Sequence, residues 1–344
     1  NRARADWFVQ SFVNGSDWAD EVTSLDRMSK LTKQNIVDFA NKYLKDNNYA
    51  VIYKKQGKDP NEKKMSKPAI TPIVMNRDTA SSFLKEIQAS TVQPIEPVFL
   101  DFSKDLSLLK AKSDIPVIYK QNDTNDLFQL MYLFDMGNRN DKALGTAAQY
   151  LEYLGTSDMT PEEVKSEFYR MACTFFVSPG SERTYIVLMG LNENMPKAVE
   201  LFEKLLANAQ VNRDAYSNLV NDQLKRRKDA KLNQSQNFSR LMTYMEWGPK
   251  NHATNVLSEK ELKEMDPQEL VNRIHNLNSF KHRITYYGPS SQEDFLAVIN
   301  KEHNVPQTLK ELPEGIEFKQ QPTTETQIYI APYEAKQIYM AQYS

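Results

Sequence analysis

The sequence predicts an α+β fold: a mixed, mostly antiparallel sheet with its helices layered on one face, preceded by the helical and strand end of a similar domain. Two observations carry this. Apolar strand segments come in adjacent pairs, "DIPVIYKQN" with "LFQLMYLFDMG" and "CTFFVSP" with "RTYIVLMGL", as hairpin-joined strands do. Between the pairs lie capped segments with apolar residues at helical spacing. A third observation removes the main competitor. The 10 glycines form neither G-x-G-x-x-G nor a P-loop after a strand, so a nucleotide-binding parallel sheet is not indicated.

In chain order, residues 2–13 and 17–28 are expected as short helices, with Trp7, Phe8 and Phe12 spaced for one face. Thr32 is the N-cap of a helix through "KQNIVDFANKYL", and "NYAVIYKKQG" follows as a strand. Residues 1–55 therefore resemble the closing part of an α/β domain. "GKDPNEKKMSKPAITP" is rich in Lys and Pro with little to bury, which marks a solvated connector, and residues 56–94 form a linker with a short helix near "RDTASSFLKEIQAS".

From about residue 95 a complete second unit is expected, to residue 310. Its "LFQLMYLF" strand is almost uniformly apolar, which predicts burial on both faces. A helix over 141–153 comes next. Thr160-Pro161-Glu162-Glu163 is a capping box with proline at the first helical position, opening a helix over 161–172. Helices over 196–209, 212–230 and 234–245 follow the second strand pair. Asp266-Pro267-Gln268-Glu269 caps another helix, "KHRITYYG" is a strand, and Ser290 to Glu293 caps a helix over 291–302. Residues 311–344 are expected as a connector ending in two strands, "IYIAPYEAKQIYMAQYS". An N-terminus with a helix already under way and a terminal strand without a hairpin return together suggest a fragment of a longer protein.

Composition bounds the chemistry. With 344 residues, 40% hydrophobic, 26% charged and a net charge of −2, the chain has globular composition and no global attraction for nucleic acid or an anionic membrane. No apolar run approaches the ~20 residues needed to span a bilayer. Cys173 is the single cysteine and lies in "ACTFFV", so it is expected to be a buried small hydrophobe. The four histidines, 252, 275, 282 and 303, include no pair at the i, i+4 spacing that aims two imidazoles from one helix face at zinc. His275 and His282 straddle a turn into a strand. The basic segment Gln223 to Lys231 is expected as a solvated face late in a long helix. The 17 tyrosines and 16 phenylalanines are spread through strands and helices, as core material is.

One stretch stands apart, "GTAAQYLEYLGTSDMTPEE", residues 145–163. It resembles the motif helix of the pitrilysin and insulin-degrading group of zinc metallopeptidases, the inverzincins, in which small residues precede H-x-x-E-H and a Gly-Thr turn follows. The resemblance extends along the chain. "RMSKLTKQNIVDFANKYLKDNNYAVIYKKQG" looks like the end of such a domain and "IEPVFLDF" like the opening of the second half of long single-chain members. "NDLFQLMYLFDMGNRND" is similar to the strand and loop before the motif helix, and "RITYYGP" to the late strand before the last helix.

By this resemblance Gln149 and Tyr153 stand where the two histidines would be, and Glu152 where the general base would be. The stretch expected to hold the third ligand, a Glu, reads "NLVNDQLKRRK". An amide and a neutral phenol are poor zinc ligands, and a carboxylate without a metal-bound water has no proton to take. The resemblance thus implies no metal or cofactor in this chain and zinc in the catalytic domain of its parent. It makes residues 1–55 the end of a preceding homologous domain, 95–310 a complete non-catalytic peptidase-like domain, and 311–344 the start of a further domain. The implied role is to wall a chamber that admits peptides. The implied partners are the parent's remaining domains and peptide substrates, with no nucleic acid and no membrane, and a periplasmic location follows from the resemblance alone. The alternatives are a structural or partner-binding member of the same superfamily, distinguished by whether H-x-x-E-H occurs in the parent, and an unrelated α/β enzyme using carboxylates in a cleft.

Overall fold

The structure is a computed structural model that describes residues 2–54, 57, 66–71, 80–94, 96, 97, 99–322, 324–335 and 337–342. It divides into two compact units, Asn1–Gln93 and Pro94–Ser344.

The first unit is helical. It holds α1 (Arg2–Asn14), α2 (Trp18–Val22), α3 (Ser24–Ser29), α4 (Lys33–Tyr43) and α5 (Ser82–Ala89). Residues 17–28, expected as one helix, are two. The Thr23 N–H closes α2 on the Ala19 carbonyl while Thr23 also stands as N-cap of α3. Thr32 caps α4 as expected, and the box is completed by Asn35 in the place usually held by Glu or Gln. Phe8 stacks on Trp18 with ring centroids 4.0 Å apart. "NYAVIYKKQG" is not a strand over its described residues, since a strand needs a neighbour to receive its backbone groups and none is present there. Ile52 is 92% exposed. Residues 56, 58–65 and 72–79 of the expected linker 56–94 lie outside the described residues; the short helix predicted within it is α5.

The second unit carries the sheet. In chain order it contains β1 (Ser107–Lys110), β2 (Pro116–Gln121), β3 (Leu127–Phe134), α6 (Leu144–Leu151), α7 (Pro161–Arg170), β4 (Cys173–Pro179), β5 (Thr184–Leu191), α8 (Met195–Asn208), α9 (Arg213–Ala230), α10 (Gln234–Trp247), α11 (Glu259–Glu264), α12 (Pro267–Asn276), β6 (Arg283–Gly288) and α13 (Gln292–Glu302). The six strands lie in the order β1-β2-β6-β3-β5-β4, and only the β2–β6 pair is parallel. The α+β class and the mostly antiparallel sheet are therefore as expected. β4 and β5 form the hairpin expected of them, but β2 and β3 do not: β6 lies between them, pairing with both, and β2 takes β1 as its antiparallel neighbour. The sequence did not reveal β1, a four-residue edge strand, or α11, a helix of under two turns.

Register places one side chain in two on a common face. Val117 and Tyr119, Ile284 and Tyr286, the alternate residues Phe128 to Phe134, and Ile186 and Leu188 form one buried surface beneath the helices. Onto it pack Phe202 and Leu205 of α8, Leu270 and Ile274 of α12, Phe295 and Ile299 of α13, and Leu144, Ala147 and Leu151 of α6. Each such large side chain removed from water contributes roughly 1.5–3 kcal/mol before ordering costs. The other face explains why the double-sided burial expected of β3 does not occur. Leu127 is 51% exposed, Met131 and Leu133 are half-buried, and Phe176 and Tyr287 are each 43% exposed. Apolar composition here does not mark burial on both sides.

The two strands expected at the end of the chain are not formed. Residues 328–342, where described, have no strand pairing. They lie along α10 instead, with Tyr339 edge-on to Phe238, Tyr329 edge-on to Tyr244, and Gln234 Nε2 donating to the Gln337 carbonyl.

Candidate functional site

The motif helix α6 is shorter than the 141–153 span expected. Asp141 begins a turn, its carboxylate accepting the Ala143 N–H, and Asn138 Oδ1 accepts the Gly145 N–H. The helix ends at Leu151, Glu152 is its C-cap, and the Tyr153 N–H makes a tighter bond back to the Tyr150 carbonyl. Tyr153 thus lies past the last regular turn. The close approach that follows requires Gly155. A Cβ there would sit 2.2 Å from the Met159 carbonyl oxygen, while Thr156 donates to that same oxygen and Gln210 donates to the Gly155 carbonyl.

Small residues let α6 approach its neighbours. Ala147 and Ala148 face the core, and Tyr150 is fully buried. The Tyr150 hydroxyl donates to the Asn212 carbonyl at 2.7 Å and accepts the Asn212 N–H at 2.9 Å, pinning α6 to the start of α9. Burial pushes the ionisation of this phenol upward.

Gln149 points outward from α6, and its Oε1 accepts a hydrogen bond from Gln223 Nε2 of α9 at 2.9 Å. Gln223 lies within the stretch that the family resemblance assigns to a third metal ligand. Nothing in that stretch of sequence singles out Gln223, because an amide on a polar helix carries no mark of its partner. Tyr153 is not brought into the pair; the Lys165 ammonium lies 5.6 Å from its ring centroid. Gln149, Tyr153 and Gln223 do not fit a zinc ion: two amides and a phenol offer neither imidazole nor carboxylate, and the Gln149 oxygen is engaged. Among the described residues no group of three or more His, Cys, Asp or Glu side chains is placed to hold a metal.

Among the described residues Glu152 belongs to no group of three or more His, Cys, Asp or Glu side chains placed to hold a metal. It lines a cavity of about 420 Å³ with Leu151, Val164, Phe168, Cys173 and Phe175, between α6, α7 and β4. Cys173 is buried as expected, and desolvation raises its pKa, which disfavours the thiolate. The cavity opens beside β4, which has no partner on its outer side among the described residues. Leu191 donates to the Ala172 carbonyl and Gly180 to that of Arg183. With the alternation of an antiparallel ladder, the backbone groups of Cys173, Phe175 and Val177 therefore turn to the open edge.

The other candidates resolve differently. His275 Nε2 bonds the Ala209 carbonyl, and His282 lies apart from it, against His303. Gln223 to Lys231 is not wholly a solvated face: Arg227 donates to the Leu257 carbonyl, and Arg226 pairs with Asp222.

The fold is that of the M16 peptidase domains. It is similar to the inactive domain of a peptidase M16 from Pseudomonas fluorescens, with 16% identity, a TM-score of 0.52, and coverage of 62% of this chain and 54% of that one. It is also similar to PqqL, the periplasmic protease of Escherichia coli, with 12% identity, a TM-score of 0.55, and coverage of 87% and 31%. The ferredoxin protease FusC, seen as a variant in complex with Arabidopsis ferredoxin, aligns at 11% identity and a TM-score of 0.54, covering 69% and 29%. The chain spans about half the length of the first and under a third of the other two. Identities this low show the fold alone. They agree with the pitrilysin-type resemblance in the sequence. No protein-family description and no curated protein matches the chain. No helix among the described residues is long and apolar enough to cross a membrane.

Proposed function

We propose that this chain is the non-catalytic part of a pitrilysin-like zinc metallopeptidase and walls the chamber in which peptides are cut. What supports the reading is an M16-type sheet fold together with Gln149, Glu152 and Tyr153 at the positions that the resemblance assigns to the motif, with Gln149 bonded to a second amide, Gln223. In this reading Glu152 has no catalytic role, and no residue of the chain is catalytic or binds a metal. Residues 1–55 close a preceding homologous domain, 56–94 link the halves, 95–310 are the non-catalytic domain, and 311–344 lead into the next. Zinc belongs to the parent's catalytic domain.

Two features support contact with peptides and with other domains. The open edge of β4 presents free backbone groups beside an apolar cavity, which suits an extended chain. The outer face of the sheet leaves Leu127 and Phe176 in water, as a surface built to meet neighbouring domains does. The periplasmic description of PqqL and the protein partner of FusC support an exported proteolytic setting.

The test is made on the purified chain. It should hydrolyse no unfolded peptide and bind no stoichiometric zinc. Equimolar zinc that is lost in Gln149→Ala, or peptide turnover that survives a chelator, overturns the proposal.

A further inference from the structure

The middle of the second unit buries three titratable groups in a row. His282 Nδ1 lies 2.7 Å from the Phe280 carbonyl, His282 Nε2 lies 2.8 Å from His303 Nε2, and His303 Nδ1 lies 2.6 Å from Glu203 Oε1. His303 is 0%, Glu203 4% and His282 5% exposed. The other carboxylate oxygen, Oε2, accepts from Asn278 Nδ2 at 2.9 Å and from the Asn304 N–H at 3.0 Å. The row joins three elements that are remote in sequence: α8, the entry to β6 and the exit of α13.

Hydrogen-bond bookkeeping fixes its protons. The Phe280 carbonyl can only accept, so His282 carries a proton on Nδ1; burial disfavours its charged form, so its Nε2 presents a lone pair. His303 must then present N–H at Nε2. The short contact from His303 to Glu203 needs a third proton, held by the imidazole or by the carboxyl. Three contacts thus hold three protons, one more than two neutral imidazoles beside a carboxylate supply, and the row is electrically neutral. Removing one proton sets two lone pairs against each other inside the core. Adding a fourth sets two protonated atoms against each other, either the two imidazoles or His303 and the carboxyl.

We infer that Glu203, His303 and His282 form a proton-locked clasp that fastens the exit of α13 and the chain after it to the sheet, and that acid opens it. The segment it would release leaves the clasp at Asn304, bonds across to Ser279 and Lys281 through Lys310, and runs on to Arg139 through Ile316. The charged groups nearby do not relieve the lock. Tyr132 of β3 is fully buried beside Glu203, and burial first, then that carboxylate, pushes its ionisation well up. Lys281 is paired with Glu311, Arg283 with Asp135, and Glu302 with Lys301, all toward the surface. Desolvation, then His303, lowers His282 to about 4. His282 therefore resists the extra proton while closed and takes it readily once open, at about the ordinary imidazole pKa of 6.5.

The sign follows. Below the ordinary imidazole value the open state binds more protons than the three of the closed row, so the clasp weakens as pH falls there, by up to about tenfold in protection per pH unit for one proton; above that value the open state binds fewer and the sign reverses. The measurement is hydrogen exchange across residues 303–312 of the full chain between neutral pH and pH 4, corrected for the intrinsic rate and compared with α9. Expected is a loss of protection in 303–312 that outpaces α9 and is absent in His282→Gln, which cannot take up the proton. Imidazole nitrogen shifts of the unmodified chain give a second reading that needs no variant. At neutral pH they should show His282 protonated at Nδ1 only and His303 protonated at Nε2. Two neutral imidazoles beside an ionised carboxylate, or protection in 303–312 that tracks α9 at every pH, overturns the inference.

Discussion

Gln223 Nε2 donates to Gln149 Oε1 across the gap between α9 and α6, at 2.9 Å. The bond is neutral, sits near the surface and needs no ion. It predicts that Gln149→Ala costs about 1 kcal/mol or less, the usual net worth of an exposed neutral hydrogen bond. Urea unfolding of the two proteins, with and without chelator, checks this. A cost of several kcal/mol that chelator reproduces in the unmodified chain would show that a metal was being held.

Tyr150 is the opposite case, because its hydroxyl serves both the N–H and the carbonyl of Asn212 inside the core. Tyr150→Phe keeps the ring and strands both backbone groups, so it should destabilise by about 1–3 kcal/mol. The urea midpoint should fall while the slope of the transition stays the same.

Gly155→Ala places a methyl group 2.2 Å from the Met159 carbonyl oxygen, and that atom is backbone held by the Thr156 N–H. The turn must shift, at a cost of about 1–3 kcal/mol. A melting temperature equal to that of the unmodified chain would mean that the turn after α6 is not built as described.

Ser258 caps α11, and Glu261 completes the box by accepting the Ser258 N–H while its other oxygen accepts from Lys142 Nζ at 2.6 Å. The Lys142 hydrogen bond first, then the bonds with Ser258, hold the Glu261 carboxyl down from 4.5 to about 2. Its folded pKa is the lower one, so its stabilisation is present above about 4.5 and is lost as pH falls towards 2. Lys142→Met should therefore melt below the unmodified chain at neutral pH and converge with it in strong acid. Parallel curves at every pH would refute the coupling.

The sequence made the second unit legible where a local signal existed. Thr160 with Glu163 and Asp266 with Pro267 announced their helices, and the β4–β5 hairpin was readable from its paired apolar runs, whereas the insertion of β6 between β2 and β3 was not. It misled where a signal depends on a distant partner. Residues 49–54 and 328–340 have strand-like composition, but strand structure needs a neighbour, and the described chain supplies none. The frame of the site was readable in Ala148 to Thr156, and so was its loss of imidazoles. The Gln149–Gln223 contact was not, because an amide in a polar helix carries no mark of its partner. Nor was His282 with His303, 21 residues apart on different elements and joined only when β6 and α13 pack together.

One practical consequence follows from the sheet having helices on a single side. Leu127, Phe176 and Tyr287 face water on the other side, near half-buried Met131 and Leu133. A greasy plane of this kind invites a second molecule. Light scattering from the isolated chain should therefore rise with concentration, and a charged residue in place of Phe176 should suppress the rise while leaving the melting curve nearly unchanged.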